Sequence, residues 1–112
     1  MQYLVTGEYV EPGPLFAPEP LVSFVEQQVI PSLEMIAKWE RDGKVKGGGV
    51  FAGQRMGCFV LEVASHEELG QLLASLPFWG TMKWDVKPLQ SWSSTAQREK
   101  GLVAQIKVGS KR

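Results

Sequence analysis

The chain has 112 residues, with 12 Lys+Arg balanced by 12 Asp+Glu, a size for one domain that leaves no room for a second full core. Hydrophobic residues at 44% and charged residues at 21% exclude a disordered polyelectrolyte, and the charge balance offers no basic footprint for DNA or RNA. A single cysteine, Cys58, and a single histidine, His66, exclude an internal disulfide and a Cys/His metal cluster; a carboxylate-only metal site stays open.

The opening Met1-Gln2-Tyr3-Leu4-Val5 lacks the basic start and the long apolar run of an export signal, and Glu8 and Glu11 follow soon after. No apolar run approaches the ~20 residues of a membrane-spanning helix. A soluble, cytoplasmic protein without a membrane partner is expected.

Gln2 to Val10 reads as a strand, with Tyr3, Val5 and Tyr9 on one parity and Leu4 and Thr6 on the other. Glu11 to Pro20 holds four of the seven prolines and predicts a loop. From Leu21 to Asp42 the helical spacing of Leu21, Val25, Val29, Leu33, Ile36 and Ala37 predicts a helix. Pro31 removes one of its hydrogen bonds, so a kink or break is expected near Gln27–Ile30, and Gly43 is placed to end the element.

Lys44 to Ala52, with Gly47-Gly48-Gly49 at its centre, and Cys58 to Ala64 read as two strands of a hairpin turning at Gly53–Gly57. Ser65-His66-Glu67-Glu68 is a capping box, in which Ser65 accepts from the Glu68 amide and Glu68 reaches back to the Ser65 amide. It opens a helix with Leu69, Leu72, Leu73 and Leu76 on one face. Thr81 to Leu89 alternates Met82, Trp84 and Val86 against Lys83, Asp85 and Lys87, the pattern of a half-buried strand. Ser94-Thr95-Ala96-Gln97 predicts a short helix, Leu102 to Val108 a fifth strand placed to pair with a partner's edge, and Gly109 to Arg112 a frayed end.

The order β-α-β-β-α-β is that of the α+β ferredoxin-like fold: four antiparallel strands with both helices on one face. It occupies residues 1–92, with 93–112 as an extension. Leu4, Phe59, Leu61 and Val63 place apolar groups on both parities of the first and third strands, so the uncovered sheet face is expected to meet a second copy in a homodimer.

These elements resemble the muconolactone isomerase family of dimeric α/β barrels. The resemblance runs from about Glu34 to Leu89 and rests on the Arg41-Asp42-Gly43 helix end, the Ala52-Gly53 hairpin, Phe59-Val60-Leu61-Glu62-Val63, Leu76-Pro77-Phe78-Trp79 and Trp84-Asp85-Val86-Lys87-Pro88-Leu89. Gly47-Gly48-Gly49 stands where that family carries polar and aromatic side chains, and the chain beyond Trp92 lies outside the family's core pattern. The resemblance implies a small enzyme without cofactor acting on a cyclic carbonyl compound, and it matches Glu34 to a family glutamate.

Moving a proton beside a carbonyl needs a partly desolvated carboxylate or imidazole. Glu34 lies mid-helix, where an exposed pair with Lys38 is the plainer role. Glu62 sits in an apolar strand, so it must face a cavity or an interface, or pair with a base. His66 follows a helix cap, a position that is usually exposed. Arg55 in the hairpin turn is placed to hold a carboxylate or carbonyl oxygen, or to be solvated there. Cys58 has no basic neighbour to activate it.

Trp39, Phe78, Trp79 and Trp84 provide aromatic surface for a pocket or for the core. Three glycines in one strand each cost roughly 0.5–1 kcal/mol against alanine, which points to a close approach of backbone or ligand near Gly48 and Gly49. No phosphate-binding glycine motif is present.

The expected activity is a proton-shuttle isomerisation of an apolar lactone, enone or polyketide-like intermediate. Glu34 or Glu62 would move the proton, and Tyr3 or Arg55 would polarise the carbonyl. Trp39, Gly48, Gly49, Phe78, Trp79 and Trp84 would shape the pocket. The alternatives are a cofactor-free monooxygenase on an aromatic or polyketide substrate and a non-catalytic dimeric binding protein.

Overall fold

A computed structural model describes residues 1–10 and 18–110. The elements in chain order are β1 (Gln2–Tyr9), α1 (Pro18–Phe24), a π-helical turn (Val25–Val29), α2 (Ile30–Arg41), β2 (Val45–Val50), β3 (Met56–Glu62), α3 (His66–Ala74), a 3-10 turn (Trp79–Thr81), β4 (Met82–Leu89) and α4 (Trp92–Ser110). All strand pairs are antiparallel and the sheet order is β2-β3-β1-β4, the ferredoxin-like arrangement that the element order predicts.

Tyr3, Val5, Phe59, Leu61, Val63 and Val45 are buried on the helix-covered face with Trp39 of α2, Leu69 and Leu73 of α3, and Leu76 and Phe78 of the following turn. Phe59, Leu61 and Val63 therefore do not make the opposite face apolar. That face instead carries Leu4 opposite Val60 and Thr6 opposite Cys58, all half-buried in the single chain. Successive strand side chains alternate faces, so Leu4 and Val60 are the apolar pair left for an uncovered surface.

The predicted interruption at Pro31 takes a specific form. Pro31 has no N–H to donate, and the preceding turn widens so that the Ile30 amide donates to the Val25 carbonyl, five residues back. Ser32 then binds both ways: its hydroxyl donates to the Gln28 carbonyl at 2.6 Å and accepts from the Phe78 amide at 3.0 Å. Fully buried Ser32 thus joins α2 to the turn that precedes β4.

Several expectations are corrected. Helix starts at Pro18, three residues before Leu21, because prolines in a first turn lose no hydrogen bond that the helix would have made; the rest of the predicted proline loop, 11–17, lies outside the described residues. Lys38 pairs with Asp42 at 2.7 Å, and this hydrogen bond holds the Asp42 carboxyl below the usual range; Glu34 is not its partner. Ser65 accepts from the Glu68 amide at 3.1 Å, but the Glu68 carboxylate takes the Ala64 amide at 2.9 Å instead of that of Ser65.

The largest correction is the chain after β4. No fifth strand forms among the described residues, and Trp92 to Ser110 is one α-helix of 19 residues, including the predicted frayed residues Gly109 and Ser110. Ser91 caps it by accepting the Ser94 amide on its hydroxyl at 3.1 Å. The alternation of Leu102, Ala104, Ile106 and Val108 suggests a strand, but a strand needs a neighbouring edge, whereas a helix satisfies its own backbone groups. Lys111 and Arg112 lie outside the described residues.

Candidate functional site

α1, the π turn and the first half of α2 stand away from the upper half of the sheet, leaving a cavity of about 630 Å³. Gly7, Gly48, Gly49 and Gly57 of the sheet line it, and of these only Gly49 has open space where an added Cβ would stand. Opposite them, Val25, Val29, Leu33, Ile36 and Ala37 form an aliphatic wall, and Tyr9, Phe24, Phe78, Met82 and Trp84 close one side. Polar side chains enter from Glu40, Gln54 and Arg55, all exposed at the rim.

Local geometry sets each group. Leu33, Ile36, Ala37 and Glu40 follow the i, i+3, i+4, i+7 spacing, so the aliphatic stripe of α2 delivers Glu40 to the same opening. The Tyr9 amide donates to the Arg55 carbonyl at 3.0 Å, tying the end of β1 to the hairpin turn. The Arg55 guanidinium then lies over the Tyr9 ring, 5.7 Å from its centroid, a cation–π placement that orients its planar fork.

Trp84 donates its indole N–H to the Trp79 carbonyl at 3.0 Å and packs edge-on to Phe78 at 5.9 Å. Within the triple glycine only Gly48 is confined. It has φ +128°, and an added Cβ would lie 2.1 Å from the Cys58 carbonyl oxygen, at the irregular β2–β3 register, whereas Gly47 and Gly49 have open space. The close approach anticipated there is backbone against backbone.

The sequence candidates fall in different places. Arg55, Gly48, Gly49, Phe78 and Trp84 line the cavity. Trp39 is buried in the core against Phe59, at 6.4 Å between ring centroids, and Trp79 is exposed, contributing its carbonyl to Trp84. Tyr3 is buried beneath α3 with its hydroxyl bonded to His66 Nδ1. Glu34 is exposed on α2 and does not line the cavity.

Glu62 lies on the open sheet face with Cys58 and Val60, accepting from Gln2 Nε2 at 3.3 Å and facing Lys46 Nζ at 3.5 Å. The Gln2 hydrogen bond, followed by the Lys46 charge, lowers its pKa. Of the roles open to a carboxylate in that strand, it takes the pairing with a base. Glu40 and Gln54 were not singled out from sequence. The signal for Glu40 was its place one turn beyond Ala37 on the apolar stripe. No cluster of three His, Cys, Asp or Glu residues able to hold a metal occurs among the described residues, and no described helix is long and apolar enough to cross a membrane.

Residues 16–95 match the family model for muconolactone delta-isomerase. The chain belongs to the muconolactone delta-isomerase family. A crystal structure of muconolactone isomerase is similar to it over 81% of this chain and 90% of that one, with TM-score 0.67 and 22% identity. A second similar structure is 5-chloro-2-hydroxyhydroquinone dehydrochlorinase from Burkholderia phenoliruptrix AC1100 in complex with 2,5-dihydroxybenzoquinone, at TM-score 0.56 and 17% identity over 84% of this chain and 98% of that one. No curated protein matches. At these identities the two structures establish the fold alone, and α4 extends past the end of the family match.

Proposed function

We propose that this member of the family is a small enzyme that isomerises an apolar cyclic carbonyl compound by moving one proton within the cavity beneath α1 and α2. The observation that carries the reading is a 630 Å³ apolar chamber with a carboxylate, Glu40, and a guanidinium, Arg55, both on its lining, a volume and polarity suited to one small ring compound. The Glu40 carboxylate takes a proton from the carbon beside the carbonyl and returns it at another carbon of the resulting dienolate. Arg55 and the Tyr9 hydroxyl hold the enolate oxygen while its charge develops. One proton is removed and one is returned, so the double bond moves and no oxidant or reductant is consumed.

A dihydroxybenzoquinone bound by the structurally similar dehydrochlorinase supports a flat, oxygenated ring as the substrate class. The open face bearing Leu4 and Val60 supports a homodimer joined through the sheets.

The test is turnover of muconolactone and related unsaturated lactones and enones in deuterated water. Glu40→Gln should lose at least ~100-fold in kcat, while Glu34→Gln and Glu62→Gln, which alter carboxylates off the cavity lining, retain it. Undiminished turnover by Glu40→Gln would overturn this assignment. Oxygen uptake with a phenolic substrate would favour the oxygenase, and tryptophan quenching by these rings without turnover would favour a binding protein.

A further inference from the structure

Among the described residues, α4 is a helix that stays exposed along its length. Apart from half-buried Thr95, every residue from Ser91 to Gly109 is exposed, including Trp92 at 91%, Ile106 at 61%, and Leu102 and Val103 at 49% each. Its length of about 28 Å accounts for a molecule measuring 74 × 31 × 25 Å, with a radius of gyration of 19.7 Å where a compact chain of this length has about 13 Å. With two glycines, three serine or threonine residues in its first turn and two valines, this sequence is a poor solitary helix former, and helices of this kind are held by packing of one face. The apolar residues of one face are Trp92, Leu102 and Ile106, with Val103 alongside and Thr95 and Glu99 between them at the same three- and four-residue spacing.

Charge identifies what the face fits. The net charge of zero hides a division: residues 1–91 carry seven Lys and Arg against eleven Asp and Glu, a net −4, and residues 92–112 carry five against one, a net +4. α4 is basic and the body is acidic, which disfavours pairing α4 with another α4. On the outside of α1 and the π turn, Glu19, Val22, Ser23, Glu26 and Gln27 line a shallow depression, with Val22 53% exposed between the two carboxylates. Glu19 and Glu26 are seven residues apart, as are Lys100 and Lys107 beside the apolar stripe of α4, so the two pairs of charges share one sequence separation.

We propose that α4 is an assembly arm that docks on the Glu19–Gln27 surface of a second copy of this chain, its apolar stripe over Val22 and its lysines towards Glu19 and Glu26. Such a contact is heterologous, arm to body, and is separate from the sheet face and from the cavity. It does not depend on the proposed reaction.

Sedimentation velocity of the full chain across a concentration series tests it. Glu19→Lys/Glu26→Lys in one preparation and Lys100→Glu/Lys107→Glu in another should each raise the midpoint of the arm-dependent association by ~10-fold or more. An equimolar mixture of the two should restore it, because each basic surface then meets an acidic one. Leu102→Asp/Ile106→Asp should abolish it without affecting the fold of residues 1–91, followed by circular dichroism. Identical sedimentation of the parent and all three variants would overturn the proposal. So would unchanged sedimentation accompanied by binding of a DNA duplex or an anionic vesicle that the lysine variant loses.

Discussion

Trp84 covers Gly7 of β1, so close that a Cβ on Gly7 would stand 2.7 Å from Trp84 Cζ3. The two residues are cross-strand partners, and the absence of a side chain on one lets the indole of the other form part of the cavity lining. Gly7→Ala should push the ring off β1 and weaken its bond to the Trp79 carbonyl. A loss of about 1–3 kcal/mol is expected in urea unfolding, with a shift in tryptophan emission. Gly70→Ala in α3, where an added Cβ meets nothing, should instead stabilise by about 0.5–1 kcal/mol.

The three consecutive glycines should respond unequally. At Gly48 a side chain meets the β3 backbone and a positive φ together, so Gly48→Ala should cost about 2–3 kcal/mol or more. Gly47→Ala and Gly49→Ala, with open space, should stay within about 1 kcal/mol of the parent. Equal costs at all three positions by denaturant titration would show that the bulge is not what confines Gly48.

Ser32→Ala should remove the acceptor of the buried Phe78 amide. An unsatisfied buried N–H costs about 1–3 kcal/mol. Hydrogen exchange at Phe78 should accelerate more than exchange at Val5, which is also buried but bonded within the sheet.

Glu62 has a folded pKa below its ordinary value of 4.5, so its contribution to stability is complete above that value and is lost as pH falls through the lower folded value. Because the carboxylate is exposed, salt should screen the Lys46 part. A carboxyl titration followed by NMR should show the pKa rising with added salt and again in Lys46→Met. Glu62→Gln should flatten the acid limb of the stability profile slightly.

Much of the fold was legible because its elements are set by short-range patterns. The alternation in β1, β3 and β4, the Ser65 cap and the break imposed by Pro31 each report a local requirement. The site was legible in part. Arg55, Gly48, Phe78 and Trp84 could be chosen by residue type, whereas Glu40 became a candidate only when the α2 stripe was seen to face an empty space. Glu62 looked anomalous in sequence because strand alternation does not reveal that Gln2 and Lys46 stand beside it.

The sequence by itself determined the order of elements as far as β4, the one-sided helix layer and the supply of a single cysteine and a single histidine, since each follows from residue type and spacing along the chain. Only the tertiary structure decided that α1 and α2 leave a chamber over the sheet, that Glu62 faces away from it, and that residues 92–110 form a helix whose large apolar side chains stay exposed. These depend on which surfaces meet across the sheet, and spacing along the chain does not encode the distance between elements far apart in sequence.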